Sequence, residues 1–348
     1  MRRAAAVGEQ QGRRRVGAHG RRPGAVALAS HASEAQGDDV LASLAAVFAV
    51  INGANDGGAI VASQLRAPRV RPLTVIVAVA AALVVVPLFV GTGVADTLTS
   101  GLVRASEGRT STVIALGVTA SIVVVGLLTR AGLPTSLTLG MVGGIVGAGL
   151  GMGLPVITRG VVRVILIGVA APVIGALLAQ LLTGASSGVL ARWGARGLAA
   201  LAVAATAAQA IAYAANDGQK MIAVVAVTSV GVVPATVVGI ALLFALGAAV
   251  GVRAAAGTLS GSIARVGPAE EVTAQLGGAA AVLTSAALGV PVSMTQSVTG
   301  GLVGTGVLRG VRRVRWRIAG RLAMAWVITL PSAAVAGAAA AWIMRGVT

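Results

Sequence analysis

An Asn-Asp pair stands twice in apolar sequence, as Gly53-Ala54-Asn55-Asp56 and as Ala214-Ala215-Asn216-Asp217. Carboxylate and amide together offer oxygen ligands to a hard cation such as Na⁺, and a carboxylate alone can hold H⁺. Each pair is followed by glycine, in Gly57-Gly58 and in Gly218-Gln219-Lys220, which lets a helix break and bare its backbone groups. Bared amides attract an anion and bared carbonyls beside a carboxylate attract a cation, so one pocket could hold an oxyanion and a cation together. Capping a helix end among lipid headgroups is the plainer role for one such pair. It accounts less well for two in matched settings, because an ionisable group at membrane depth costs about 3 kcal/mol or more unless paired, hydrated or ion-bound.

Lys220 lies three residues after Asp217, a spacing that sets both on one helix face. It is either a fixed internal ion pair or a partner that releases Asp217 when a substrate or cation arrives. After Asp56 the same place is taken by Ala59, so the two settings differ chemically. Downstream of each pair comes a second recurring element, Pro134-Thr135-Ser136-Leu137-Thr138 and Pro291-Val292-Ser293-Met294-Thr295. Proline favours a helix start and the hydroxyls can cap it. Beside unpaired amides the same hydroxyls also make an uncharged oxyanion cradle. Asp96, Glu107, Glu270 and Glu271 fall in connections and are expected to be solvated.

These residues need a scaffold, and composition says where it lies. With 56% hydrophobic and 11% charged residues and a mean hydropathy of +0.92, the chain has too little polar surface to coat a soluble body of 348 residues. Membrane lipid is therefore its expected surroundings. Aromatic residues are only 2%, while 49 glycines allow helices to approach closely along faces such as Gly143-Gly144, Gly147 and Gly151. The net charge of +17 comes from arginines clustered between apolar stretches, with no interleaved aromatics to stack bases, so it reads as membrane topology and not as nucleic-acid binding. The absence of cysteine excludes disulfides, thiolate metal sites and cysteine nucleophiles. No Gly-x-x-x-x-Gly-Lys-Ser/Thr element supports ATP hydrolysis, and no cofactor is called for.

Apolar stretches of about the ~20 residues that span a bilayer recur at 40–64, 71–95, 110–131, 135–152, 161–183, 197–228, 232–252, 273–290, 293–308 and 318–344. The expected fold is all-α and polytopic, with about ten membrane segments. Two of them, 135–152 and 293–308, are short and follow the proline elements, as broken or re-entrant helices do. Asp56 and Asp217 stand 161 residues apart, and Pro134 and Pro291 stand 157 apart, which marks an internal repeat. An odd number of segments per copy makes the second copy enter from the opposite side, giving inverted-topology repeats. The expected organisation is a disordered Arg-rich tail at 1–39, a first membrane repeat at 40–183, a cytoplasmic connection at 184–196 and a second repeat at 197–348. The tail also fits a start codon assigned too early, since Met1 is the only methionine before Met141.

Arg66, Arg69 and Arg71 follow the first segment, whereas the equivalent place near Gly231-Val232-Val233-Pro234 is uncharged. Arg309, Arg312, Arg313, Arg315, Arg317 and Arg321 precede the last segment, against Arg159 and Arg163 at its counterpart. By the positive-inside rule 66–71, 184–196 and 309–317 are cytoplasmic and both termini external, an orientation the Arg-rich tail opposes. Trp316 and Trp342 are 26 residues apart, about 39 Å of helix, and suit the two membrane interfaces; Trp326 between them suits packing.

In this order and duplicated, the motifs resemble those of the inorganic phosphate transporter (PiT) family, over about residues 40–348 and including Thr299-Gly300, Val314-Arg315-Trp316 and Ala325-Trp326. The resemblance implies a secondary transporter moving inorganic phosphate inward with H⁺ or Na⁺, in some bacterial members as a neutral metal-phosphate complex. It further implies a multi-pass protein of the bacterial plasma membrane, for which a homodimer is an admissible assembly. Carried over by position, Asn55, Asn216, Gln219, Thr135, Ser136, Ser293 and Thr295 are substrate candidates, Asp56 and Asp217 hold the coupling ion, and Lys220 gates or pairs. The His common after the second element of the family is Leu139 and Gln296 here, Ala214-Ala215 stands where His-Gly is common, and Ala59 replaces a frequent Asn. Altered coupling, or another oxyanion such as sulfate, is the alternative those departures leave. An intramembrane aspartyl protease, which also uses two membrane carboxylates, lacks its Gly-x-Gly-Asp element here. A passive channel or scaffold is separated from a symporter by gradient-driven uptake.

Overall fold

The computed structural model describes residues 39–64, 70–130, 135–228, 230–259 and 263–347. Residues 1–38 of the tail expected at 1–39, together with Arg66, Arg69 and Pro134, lie outside them, while Asp39 begins the first helix.

Among the described residues eleven helices of seven residues or more follow one another. They are α1 (Asp39–Gln64), α2 (Pro72–Val90), α3 (Gly93–Thr99), α4 (Glu107–Arg130), α5 (Leu137–Gly151), α6 (Thr158–Gly188), α7 (Ala191–Val225), α8 (Pro234–Leu259), α9 (Pro268–Ala287), α10 (Met294–Leu308) and α11 (Trp316–Val347). Ten of them match the apolar stretches of the sequence. Among the described residues seven are long and apolar enough to cross a membrane: α1, α2, α4, α6, α7, α8 and α11. At 15 residues each, α5 and α10 reach about 22 Å, short of the ~30 Å hydrocarbon layer.

Several boundaries have local causes. Prolines open α2, α8 and α9, where the missing N–H is one the first turn leaves unpaired anyway. The stretch expected at 71–95 ends at Val90, because Gly91 takes φ 77° and turns the chain into the separate helix α3. Near the start of α7 the helix is interrupted at Gly194, with φ 52° and ψ −128°. Glu270 and Glu271, expected to be solvated, occupy the first turn of α9 and are each only 8% exposed. Glu270 is paired with Arg309 at 2.6 Å, next to the amides at the start of a helix, where a carboxylate is favoured.

The two halves repeat one another in detail. An isolated antiparallel bridge joins Val103 to Val156, and another joins Ala264 to Val314. Each bridge closes a hairpin, α4–α5 or α9–α10, so each hairpin returns the chain to the side on which it began. That leaves α1, α2 and α6 as the crossings before α7, an odd number, and α7 therefore runs opposite to α1. The end of α1, the α6–α7 connection and the α10–α11 connection fall on the same side, the one that carries Arg71, Arg192, Arg196, Arg309, Arg312, Arg313 and Arg315.

Packing is exchanged between halves: α5 lies on α11 and α10 lies on α6, while α1 lies on α8 and α7 on α2. Small residues bring these backbones together. Gly143, Gly147 and Gly151 of α5 face the carbonyls of Leu330, Ala334 and Ala338 on α11. Gly300 and Gly304 of α10 face those of Pro172 and Ala176 on α6. A side chain at these glycines would overlap the neighbouring main chain, so dispersion between bare backbones holds the helices where lipid provides no hydrophobic drive. Trp316 and Trp342 are 52% and 73% exposed at the two ends of α11, as interface anchors are; Trp326 is half-buried.

Candidate functional site

Both Asn-Asp pairs sit where a helix widens. In α1 the segment Gly53–Gly57 and in α7 the segment Ala214–Gly218 form single π turns, in the first of which the Gly58 N–H donates to the Gly53 carbonyl. The helix break expected from sequence takes this form: the chain stays helical, yet the ordinary i→i−4 ladder is interrupted. Gly53, Gly57 and Gly58 allow the first π turn to lie directly on Phe244, Ala248 and Gly251 of α8. The second rests more loosely on Leu83 and Pro87 of α2, with Gly218 at the contact.

The starts of α5 and α10 meet at the second of these turns. Ser136 and Ser293 cap the two helices, each in extended backbone, with the side-chain oxygen accepting from Leu139 N and Gln296 N at 3.4 Å. Thr138 Oγ1, in the first turn of α5, donates to the Val292 carbonyl just ahead of α10 at 3.1 Å. Asn216 clasps the same residue twice: its Nδ2 donates to Val292 O at 2.7 Å and its Oδ1 accepts from Val292 N at 3.1 Å. Two helix N-termini from different halves thus converge on one Asn-Asp turn, which concentrates amide dipoles favourable to an anion.

Lys220 lies at the centre. Its Nζ contacts Asp217 Oδ1 at 2.6 Å, Thr138 Oγ1 at 2.6 Å and Val292 O at 2.8 Å. Asn216 Nδ2 reaches the other Asp217 oxygen at 2.8 Å. Asp217 and Lys220 are 1% and 2% exposed, a buried ion pair in which the three ammonium N–H groups are taken up by named neighbours and each carboxylate oxygen accepts one bond. Asp56 is also buried, and Asn55 Nδ2 donates to its Oδ1 at 2.9 Å; with Ala59 where the other turn has Lys220, it has no matching cation on its own helix. Asp56, Asp217 and Lys220 are the charged groups on and beside the two turns. Taken as ionised, the three carry one net negative charge, which one monovalent cation would balance.

Four other candidates are placed as follows. Thr135 is buried beside the Ser136 cap, and its Oγ1 has no partner among the described residues. Ser293 and Thr295 share a hydroxyl hydrogen bond of 2.9 Å. The Gln219 side chain is committed elsewhere: its Oε1 accepts from the Val94 and Ala95 amides at 2.8 and 3.3 Å, and its Nε2 donates to Ala215 O at 2.7 Å. It fastens the start of α3 to the second π turn. Thr138, which the carried-over set omits, is the direct link between Lys220 and α10; its match with Thr295 in the repeated element was the signal that pointed to it. Among the described residues no group of three His, Cys, Asp or Glu is placed to hold a metal ion.

The model of the phosphate transporter family matches residues 52–194 and 189–337 of this chain. A protein of Mycobacterium leprae (strain TN) named "Probable low-affinity inorganic phosphate transporter" is 31% identical over 322 residues, which cover 86% of this chain and 76% of that one. Proteins of the same name from Rhizobium meliloti (strain 1021) and Bacillus subtilis (strain 168) are 28% and 27% identical, covering 86% of this chain and 93% and 95% of theirs. A solved structure titled "The sodium-dependent phosphate transporter" superposes with a TM-score of 0.71 at 17% identity, over 89% of this chain and 99% of that one. At that identity the likeness is one of fold.

Proposed function

This chain belongs to the phosphate transporter family, and from that premise we propose that it is a secondary symporter carrying inorganic phosphate inward across the bacterial plasma membrane. It is a multi-pass membrane transporter and not an enzyme. The observation that carries the reading is the meeting of two capped helix starts with the Asn216-Asp217 π turn around one buried lysine.

Phosphate would rest on the Thr135, Ser136, Ser293 and Thr295 hydroxyls and on the amides of the first turns of α5 and α10, beside Asn55 and Asn216. Asp56 and Asp217 would hold the coupling cation, H⁺ or Na⁺. The order of binding follows from charge: a buried group that is already net negative repels an anion, so cation binding or protonation must precede or accompany phosphate. Gln219 would act by holding α3 in place. Because α5 packs on α11 and α10 on α6, the moving bodies would be bundles that draw helices from both repeats, 40–183 and 197–348, joined by the 184–196 connection, and their relative motion would alternate access to the site; a homodimer is compatible with the lipid-facing surfaces.

The deciding experiment is uptake of labelled phosphate into proteoliposomes under a Na⁺ gradient or a pH gradient imposed separately, with excess sulfate as challenge. Accumulation that resists sulfate and follows one gradient supports phosphate symport and names its ion. Failure under both gradients, or displacement by sulfate, moves the chain to another oxyanion or to a passive role.

Thr135→Val separates binding from structure. The hydroxyl has no partner to lose, so thermal stability should hold or rise, because a buried unsatisfied group is removed. Phosphate affinity should fall by about tenfold, the worth of one hydrogen bond to a charged ligand. Unchanged affinity by equilibrium binding would remove Thr135 from the cradle.

A further inference from the structure

The two sides of the aspartates are not alike. Because α1 and α7 run in opposite directions, residues two turns after Asp56 and two turns before Asp217 lie on the same side of the site, each about 12 Å along its helix. On the side of the arginine-rich connections these are Gln64 and Gln209. On the other side the matching positions are Phe48 and Val225. Gln275 of α9 joins the polar set: Gln64 Nε2 donates to its Oε1 at 2.8 Å, and its Nε2 donates to Ser63 O at 2.8 Å. The repeat offset of 157, at which Gly144 faces Gly117 as Gly301 faces Ala274, pairs Gln275 with Val118. Two turns from the aspartates three amides thus face three apolar residues across the site, and all six are buried; one turn from Asp56 on the other side Asn52, the repeat counterpart of Tyr213, is buried too, with both amide atoms unpartnered among the described residues.

The polar layer is incompletely satisfied. Gln64 Oε1, Gln209 Nε2 and, one turn nearer Asp217, the Tyr213 hydroxyl have no hydrogen-bond partner among the described residues, although these side chains are 1%, 1% and 0% exposed. An unpaired buried amide or hydroxyl is a net cost to folding, one that packing alone had no need to incur, as Phe48, Val118 and Val225 show at the matched positions. The layer offers unpaired donors and one unpaired acceptor, all neutral. That set complements a protonated phosphate, whose oxygens accept and whose P–OH donates.

We propose that Gln64, Gln209, Gln275 and Tyr213 form a second, transient oxyanion station between the aspartates and the arginine-rich side, through which phosphate passes after leaving the main site. The Gln64–Gln275 bond closes it in the present conformation, and its opening frees two amides to receive the anion. Neutral groups suit a transit station because they bind without holding. This rests on the phosphate symport proposed above.

The absence of cysteine from the chain makes the test direct. Full-length chain carrying Gln209→Met or Gln64→Met is compared with the unsubstituted chain for equilibrium binding of phosphate in detergent and for phosphate uptake in proteoliposomes. The expected result is binding within about twofold and an uptake rate lowered by about tenfold, the consequence of one lost hydrogen bond in transit. Gln209→Cys is then exposed to a membrane-impermeant thiol reagent from each side. Labelling from the arginine-rich side alone, slowed by phosphate with its cation, is expected. Normal uptake by both Met variants, loss of binding together with uptake, or labelling from the opposite side would each overturn the station while leaving symport standing. No phosphate uptake by the unsubstituted chain would overturn the symport reading, and the station with it.

Discussion

Asp217→Asn and Asp56→Asn are both expected to reduce gradient-driven phosphate uptake to background, yet to move stability in opposite directions. Asp217 neutralises Lys220 at 2.6 Å in a site closed to water. Removing its charge leaves a buried ammonium uncompensated, which costs about 3–5 kcal/mol. Lys220→Met added to Asp217→Asn should recover most of that loss, since a buried ion pair replaced by apolar or neutral groups of similar size is often no less stable. Uptake should stay at background in the double variant. Asp56 has no such partner on its own helix, so Asp56→Asn removes a buried charge and should leave the purified protein as stable or more so. Thermal unfolding beside proteoliposome uptake reads both quantities. Recovery of uptake by the double variant would make Asp217 a purely structural counter-ion, and uptake by Asp56→Asn at the unsubstituted rate would remove that residue from coupling.

The second large effect concerns close packing. Gly147→Leu on α5 and Gly304→Leu on α10 should each prevent recovery of a monodisperse protein, because the first atom of either side chain falls on a main-chain carbonyl, that of Ala334 or of Ala176. Backbone cannot swing aside as a side chain can, and the helices must part, at a cost of about 3 kcal/mol or more. Gly126→Ala and Gly168→Ala meet nothing within 4 Å and should be neutral, or stabilising by up to about 1 kcal/mol through helix propensity. Size-exclusion profiles and melting temperatures of the four variants in one detergent decide the matter; equal behaviour of all four would show that the glycine rows are not close-packed seams.

The helices were legible in the sequence because runs of Ala, Val, Leu and Gly at membrane length leave the backbone few alternatives. The repeat was legible because polar residues are rare enough in such runs for Asn55-Asp56 and Asn216-Asp217 to stand out. The form of the helix break was not. A π turn differs from an α turn by one residue in hydrogen-bond register, and what permits it at Gly53–Gly57 is the approach of Phe244 and Gly251, nearly two hundred residues away. Charge near a helix start misled for the opposite reason: Glu270 reads as solvated until Arg309, on another helix connection, is seen beside it. Lys220 was found through its spacing from Asp217, but its bonds to Thr138 and to the Val292 carbonyl come from the meeting of the two hairpins, which no local pattern encodes. Gln64, Gln209 and Gln275 lie in three different apolar stretches and share no motif. Only the opposed directions of α1 and α7 bring them to one depth.

The exchange of α5 and α10 between halves also bears on how the molecule is made. A chain that enters the bilayer as it is synthesised places α5 there long before α11 exists, and α5 is too short to span and carries a bare row of glycines. Its proper neighbour α11 is the last of the described helices to be made. The first half therefore spends most of translation as a half-finished surface, open to the wrong partner or to a membrane protease. Insertion of α11 is the step that closes the structure, and loss of that helix would be felt first by the residues made earliest.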